Sequence, residues 1–364
     1  MLAMFNEKTV KVIREQSREM EKKGSLTPEV LNIIYKYGLF KLFLPQELNG
    51  NMTPLPEVLR IFDTVSWIDG SVGWLVNIGS GGGVFSSAIS PHVSRDIYTS
   101  NKAVIAGSGS PAGIAEREKG GYRVRGEWKY CSGSTHATVF TANCRIEGGN
   151  SSSETEIRSF IFLPEQVRIV KDWDAFGLKA TASHTILVES VWVPEEMTFD
   201  MLRNPFHYEY PVFHYPFVPF AQASFTAVII GIGRHFMEEA KKISREGKEG
   251  WGSERFHYVM KKIDEGEQRL EGTIRDFYQT IDASWDTHLK QKELTEKQHQ
   301  GISHQCKETA RTVWDCVGSV FPFLGIQAVM EDVPINKIWR DLQTACQHTL
   351  LVPFYDLNRI GDSC

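Results

Sequence analysis

Tyr122, Val124, Trp128 and Tyr130 alternate with Arg123, Arg125, Glu127 and Lys129, a period-2 pattern that commits this stretch to a strand with one buried face. The strand begins at Gly121 and runs without a break into the small hydroxyl-rich turn Ser132-Gly-Ser-Thr-His136. Such residues do little for a core. An aromatic strand end that delivers them suits a flat ring with a polar edge, such as a flavin. The segment Gly177-Leu-Lys-Ala-Thr-Ala-Ser-His184 follows about fifty residues later and leads into a second apolar strand ending Val191-Trp-Val-Pro194.

The 364 residues are enough for two or three domains with full cores. Acidic and basic residues are interspersed and the formal net charge is −5, which speaks against nucleic acid as a partner. The pairs Lys22-Lys23 and Lys241-Lys242 sit beside glutamates on helical patterns and read as solvated faces. No charged segment followed by an apolar run marks a signal peptide at the N-terminus. The longest apolar run, Val218 to Gly233, contains Pro219, Gln222, Ser224 and Thr226 and reads as a buried helix, shorter and more polar than a bilayer span. No membrane partner is expected. Cysteines 131, 144, 306, 316, 346 and 364 include no C-x-x-C pair, so no metal site is expected and free thiols in a reducing cytoplasm are the default.

Periodicity divides the chain into three parts: helices in residues 1–97, short strands in 98–205, and helices again in 206–364. In the first part Val10, Ile13 and Met20 share a face, Thr27-Pro28-Glu29 starts a helix that Gly38 stops, and further helices are expected near Pro56–Trp67 and across Asp69–Gly83. Phe43–Gly50 reads as a loop. In the second part strands are expected at 102–107, 121–131, 139–146, 158–163 and 184–193, with Glu147–Glu154 as a surface loop. In the third part helices are expected over Ala221–Lys242, over Phe256–Trp285, over Ile302–Val320 and at about 334–355. Segregated elements in this order give an α+β fold. No G-x-G-x-x-G, G-x-S-x-G, Walker loop or H-E-x-x-H is present, which removes several common enzyme classes.

Four segments carry a resemblance. They are Gly107–Ala115, Trp128–Ala137, Trp173–Ser183 and Asp332–His348. Together they resemble the acyl-CoA dehydrogenase superfamily, and more closely its two-component, flavin-dependent (group D) monooxygenase branch. The first is similar to the turn that precedes the family's flavin-contacting strand. The third keeps the hydroxyls of a Gly-Thr-Gly-Ser pattern at Thr181 and Ser183, but has alanine at 180 and 182 where the family has glycine. Alanine disfavours left-handed backbone, so this turn is expected to differ locally. In the fourth, Arg340-Asp341 is followed by Gln347-His348-Thr349, with no carboxylate where the dehydrogenases place their catalytic base. The monooxygenase branch has a histidine there.

The resemblance implies a helical N-terminal domain, a middle β-barrel-like domain that contacts flavin, and a C-terminal four-helix bundle, assembled as a homotetramer. It implies reduced flavin (FMN or FAD) from a separate flavin reductase, O2 as co-substrate, and hydroxylation of an aromatic or polycyclic small molecule through a flavin C4a-hydroperoxide. By the same analogy Trp128 and Tyr130 line the ring, and Ser132, Ser134, Thr181 and Ser183 contact the cofactor. His348 is the catalytic residue and Arg340 contacts substrate. His136 reads more readily as a surface histidine than as a substrate contact. Tyr208, Tyr210, Phe213, His214, Tyr215 and Phe217 form an aromatic stretch; Tyr215 and Phe217 are its substrate-pocket candidates, and ordinary packing is the other reading. Two alternatives remain open: an acyl-CoA dehydrogenase whose base is displaced to Glu254, Glu265, Glu267 or Glu271, and a flavin-free homologue. The dehydrogenase Arg-x-x-Phe-Gly pattern is poorly met by Arg255-Phe256-His257.

Overall fold

The computed structural model describes residues 5–147, 156–201, 207–291 and 293–352. Five helices come first: α1 (Glu7–Lys23), α2 (Pro28–Lys36), α3 (Leu55–Ile68), α4 (Gly70–Gly81) and α5 (Pro91–Tyr98). Local chemistry sets their ends. Asn6 caps α1 by accepting from Thr9 N, Thr27 caps α2 ahead of Pro28, and Gly24 and Gly38 take the left-handed conformations that let the chain leave these segments. Helix α5 was not visible in the apolar pattern, and the Phe43–Gly50 segment contains a short 3-10 turn at Gln46–Leu48. Helix α4 is buried on nearly every side, as its glycines and apolar residues suggested; a Cβ at Gly73 would lie 2.0 Å from Ser66 Oγ.

Seven strands follow: β1 (Ile105–Glu118), β2 (Gly121–Cys131), β3 (Val139–Glu147), β4 (Ile157–Phe162), β5 (Arg168–Val170), β6 (His184–Pro194) and β7 (Thr198–Phe199), in the order β5-β6-β2-β1-β3-β4-β7. Strand β1 is longer than the 102–107 expectation. It absorbs Gly107–Ala115, which is therefore an irregularity between Ser108 and Gly113 inside a strand and not a free turn. The expected Glu147–Glu154 loop lies almost entirely outside the described residues. One face of the sheet buries Tyr122, Val124, Trp128, Cys131, Phe140, Phe160, Phe162, Ile186 and Val188 in a core of its own.

The remaining helices are α6 (Phe217–Glu246), α7 (Lys248–Trp251), α8 (Ser253–Gln291), α9 (Glu296–Val320) and α10 (Pro334–Ala345). Helix α10 stops ten residues short of the expected 355, so His348 lies on the turn beyond it. Helix α6 is long and apolar enough to cross a membrane, which corrects the reading that its apolar run is too short; 78% of its apolar window is buried inside the fold, the environment of a core helix. Helices from both ends of the chain share one hydrophobic core: Phe62 and Val65 of α3 pack in the same cluster as Ile230 of α6 and Phe277 of α8. The fold is mixed α+β, with the sheet set against this helical mass.

Candidate active site

The site begins where β2 goes out of step with β6. Trp128 pairs with Ile186 and Cys131 with His184, so three steps on β2 meet two on β6. The extra residue is absorbed around Tyr130, held at φ 65°. The bulge reverses the alternation. Trp128 is fully buried and its Nε1 donates to Asn143 O at 2.9 Å, while Tyr130 is 70% exposed with its ring edge against Trp173 at 6.2 Å. The two aromatics therefore do not line one surface. Trp128 belongs to the sheet core, and Tyr130 alone offers an open face.

Beyond the bulge the turn is clamped to the second predicted segment. Gly133 N donates to Thr181 O at 2.8 Å and Ser134 Oγ donates to Ala182 O at 2.7 Å. The second segment forms one 3-10 turn at Lys179–Thr181 between two left-handed residues, Leu178 (φ 50°) and Ala182 (φ 46°). The expectation that alanine would keep the backbone out of left-handed geometry is not met at Ala182, which takes that conformation and stores strain on the order of 1 kcal/mol between two anchoring loops.

Three hydroxyls meet there. Trp74 Nε1 donates to Ser132 Oγ at 3.0 Å, Ser132 Oγ lies 2.7 Å from Ser183 Oγ, Ser183 Oγ lies 2.7 Å from Thr181 Oγ1, and Thr181 Oγ1 donates to Leu178 O at 2.7 Å. A carbonyl only accepts and an indole N–H only donates, so the two ends fix the direction of the chain. Thr181 gives its proton to the carbonyl, Ser183 gives its proton to Thr181, and Ser132 gives its proton to Ser183. All three protons are committed within the chain. What the cluster offers outward is lone pairs, not donors. Thr181 is wholly enclosed and Ser134 is spent on Ala182, so both act by holding the loops. Ser132 and Ser183, at 6% and 5% exposure, are the nearer of the four to open space.

Trp74 links this cluster to His348. Its ring lies 5.1 Å from Phe225 of α6 and 5.9 Å from His348, and His348 is stacked on Phe225 at 3.8 Å. Burial pushes the His348 pKa down to about 4, so the ring is neutral at pH 7. Leu350 N donates to its Nδ1, which leaves the ring proton on Nε2. The free edge of His348 is then a donor, suited to holding a substrate oxygen; accepting a proton there would require the other tautomer. Sequence reasoning missed Trp74 and Phe225. The only hint of the first was a glycine-dense helix, and the second had no signal beyond an apolar run.

Other expected site residues lie elsewhere. Arg340 is committed to Glu21, to Phe176 O and to Asn336 Oδ1, so it fastens α10 to α1 and the 171–178 loop. It borders a cleft of about 430 Å³ with Arg18, Lys22, Lys171 and Lys179, and does not reach the hydroxyl cluster through any of its bonds. Tyr215 is buried, its hydroxyl paired with Ser284 Oγ at 2.8 Å and its ring against Trp285 and His288. Phe217 is 40% exposed and stacks on Phe220, about 12 Å along α6 from Phe225 by helix rise. The structure joins neither to the site. His136 is half-buried and stacked on Phe40 at 5.8 Å, not a surface side chain, and burial lowers its pKa to about 4. On α8, Glu265 pairs with Lys262 of the same helix, Glu267 and Glu271 pair with Lys241 and Arg234 of α6, and Glu254 is exposed at the start of α8. Each of the first three is thus engaged in an ion pair.

The buried imidazoles set an expected pH dependence. His136 and His348 are lowered to about 4 and His235 to about 3, each chiefly by burial. On unfolding each returns toward 6.5, so below that pH the unfolded chain binds protons that the folded chain does not. Stability is fully present above pH 6.5 and falls with pH down to about 4, by at most about 1.4 kcal/mol per unit for each histidine. Asp63, raised by burial from 3.8 to about 6, works in the opposite direction between those values, since the folded state holds its proton more tightly. Asp341, also raised by burial, acts as Asp63 does, and the three histidines outweigh the two carboxyls. The denaturation midpoint should drop between pH 7 and pH 5; a midpoint that holds or rises would show that these imidazoles are not neutral in the fold.

Residues 223–353 match the family described as acyl-CoA dehydrogenase, C-terminal domain. The chain is 25% identical over 348 residues to an indole-3-acetate monooxygenase of Pseudomonas putida, covering 93% of this chain and 88% of the relative. It is 22% identical to a flavin-dependent monooxygenase, oxygenase subunit HsaA, of Rhodococcus jostii, covering 92% and 91%. The crystal structure of a 3-HSA hydroxylase from Rhodococcus sp. RHA1 superposes with a TM-score of 0.87 at 19% identity, over 98% of this chain and 95% of that one. Residues 223–353 are thus similar to an acyl-CoA dehydrogenase C-terminal domain, and the relatives matched along most of the chain are monooxygenases, the HsaA subunit among them flavin-dependent by name.

Proposed function

We propose that this chain is the oxygenase component of a two-component flavin-dependent monooxygenase that hydroxylates an aromatic or polycyclic small molecule. One observation carries the reading: the hydroxyl chain Ser132–Ser183–Thr181, with its protons turned inward, is joined through Trp74 to a neutral histidine and not to a carboxylate. A dehydrogenase that removes a weakly acidic proton needs a positioned base. The histidine edge here is a donor.

The residues present fit a reduced flavin. Outward lone pairs at Ser132 and Ser183 match a ring edge rich in N–H groups; the oxidised ring carries one, at its imide, and reduction adds a second at N5. Tyr130, exposed on its bulge, provides a flat face for the ring. FMN and FAD both remain compatible. When bound, reduced flavin supplies two electrons to O2, so that one oxygen atom enters the substrate and the other leaves as water. The chain's own part is to bind, orient and exclude solvent. Ser132 and Ser183 hold the cofactor edge, Thr181 and Ser134 brace their loops, His348 Nε2–H orients a substrate oxygen, and Trp74 with Phe225 forms an apolar wall against which an aromatic substrate lies.

The wider reading is a helical unit at 1–97, a flavin-contacting β-unit at 98–205 and a helical bundle at 206–364, working as a cytoplasmic homotetramer with a separate flavin reductase. The test supplies chemically reduced FMN or FAD, isotopically labelled O2 and a panel of phenols and indoles. Incorporation of one labelled oxygen atom into product is expected. Conversion of a saturated acyl-CoA to its enoyl form by the protein loaded with oxidised flavin, which takes up the two electrons in the absence of O2, would favour the dehydrogenase, and failure to take up either flavin would favour the flavin-free homologue.

A further inference from the structure

Three charged side chains outside the proposed cofactor contacts are buried together. Lys337 is 7% exposed, Asp69 2% and Asp341 1%. Lys337 Nζ donates to Asp341 Oδ2 at 2.7 Å and to Asp69 Oδ2 at 2.9 Å. Burial works against the lysine charge, but the two carboxylates outweigh it and raise its pKa above the ordinary value. Burial raises the Asp341 pKa above the ordinary carboxylate value, while at Asp69 burial is overcome by the Lys337 ammonium, which holds the pKa below it. One ammonium thus stands between one firmly ionised carboxylate and one that burial disfavours as a charge. Such a group seldom repays its desolvation, and apolar replacements of similar volume are often as stable or more so. Stability is a poor explanation for it.

Its connections supply a better one. Asp69 Oδ1 accepts from Val72 N at 3.0 Å and so caps α4, whose next turn carries Trp74. Asp341 Oδ1 accepts from Leu178 N at 2.6 Å, at the left-handed residue that opens the turn bearing Thr181 and Ser183. Asp341 also lies on α10, which leads to His348. The close packing leaves no slack: a Cβ at Gly177 would lie 2.0 Å from Arg340 O, and one at Gly70 would lie 3.1 Å from Asp341 Oδ2. The elements that supply Trp74, the hydroxyl pair and His348 therefore meet at a single ammonium group.

We propose that Lys337, through Asp69 and Asp341, is a positioning residue that sets α4, the 177–183 turn and α10 in register so that the hydroxyl chain and His348 face one ligand. This rests on the flavin-site reading for its consequence, though not for its geometry.

The test compares Lys337→Met, Lys337→Arg and the charge-free combination Asp69→Asn, Lys337→Met, Asp341→Asn with the parent. In the flavin-free protein, hydrogen exchange should quicken at least tenfold at the 178–183 amides in Lys337→Met while the α8 and α9 core amides keep their protection. Reduced FMN or FAD, titrated anaerobically through protein fluorescence, should bind about tenfold more weakly, and Lys337→Arg should recover both properties. Should Lys337→Met fail to fold, the charge-free combination, with no buried charge left unpaired, reads the same two quantities. Parent-like exchange at 178–183 in a folded variant would overturn the proposal, and so would acceleration spread evenly over the whole chain. If the parent itself takes up neither flavin, the flavin-site reading fails, while the exchange data still decide whether Lys337 positions the turn.

Discussion

His348→Ala should give a folded protein that still retains flavin and still consumes oxygen, with coupled hydroxylation reduced by about 10²-fold or more. The expectation rests on the ring's place at the end of a connected set: stacked on Phe225, edge-on to Trp74, and neutral, with its proton on Nε2. Removing it deletes a fixed donor for the substrate oxygen, and losing one positioned donor to a reacting oxygen typically costs about 10²–10³-fold in rate. The lost stacking is worth only about 0.5–1.5 kcal/mol, so thermal stability should fall modestly. Product yield per O2 consumed separates the two effects. Full coupling in the variant would take His348 out of the reaction, and a variant that merely melts early, with normal coupling below its melting point, would leave it a packing residue.

Ser132→Val should weaken flavin binding by an order of magnitude or more. The substitution removes the acceptor of Trp74 Nε1–H and the donor to Ser183 Oγ together, at a residue only 6% exposed. A buried donor left without a partner costs about 1–3 kcal/mol, beyond the 0.5–1.5 kcal/mol of an ordinary lost bond. The added methyl groups also crowd the edge where the ring is expected. Ser132→Ala, which breaks the same bonds without crowding, should fall between the parent and Ser132→Val. Flavin titration checks the series, with circular dichroism as the folding control; unchanged affinity in a folded Ser132→Val would place the cofactor elsewhere.

The parts of this site that sequence made legible are those set by local pattern. Period-2 alternation located β2, and its run into Ser132-Gly-Ser-Thr-His136 located the polar turn. The spacing of His348 after Arg340-Asp341 pointed to its place by resemblance. What escaped depends on partners distant in sequence. The outward turn of Tyr130 follows from a mismatch with β6, which no pattern within β2 reveals. Trp74 reaches Ser132 across 58 positions, so a helix that reads as plain packing becomes the bridge of the site. Arg340 and Asp341 looked like one motif and separate in space: the arginine grips α1 while the aspartate holds Leu178. Trp128 was misplaced for the opposite reason, since an aromatic in phase with a buried face is most often core, and here it is.

The central claim is that this fold uses reduced flavin to activate oxygen and protects the reacting site from water. Rapid mixing of the protein, loaded anaerobically with reduced FMN or FAD, with oxygenated buffer tests it most directly. The account predicts a transient absorbance that belongs to neither reduced nor oxidised flavin and that outlasts the oxidation of free flavin under the same conditions. Direct appearance of oxidised flavin at the free-solution rate, together with anaerobic bleaching of the oxidised protein by a saturated acyl-CoA, would contradict it.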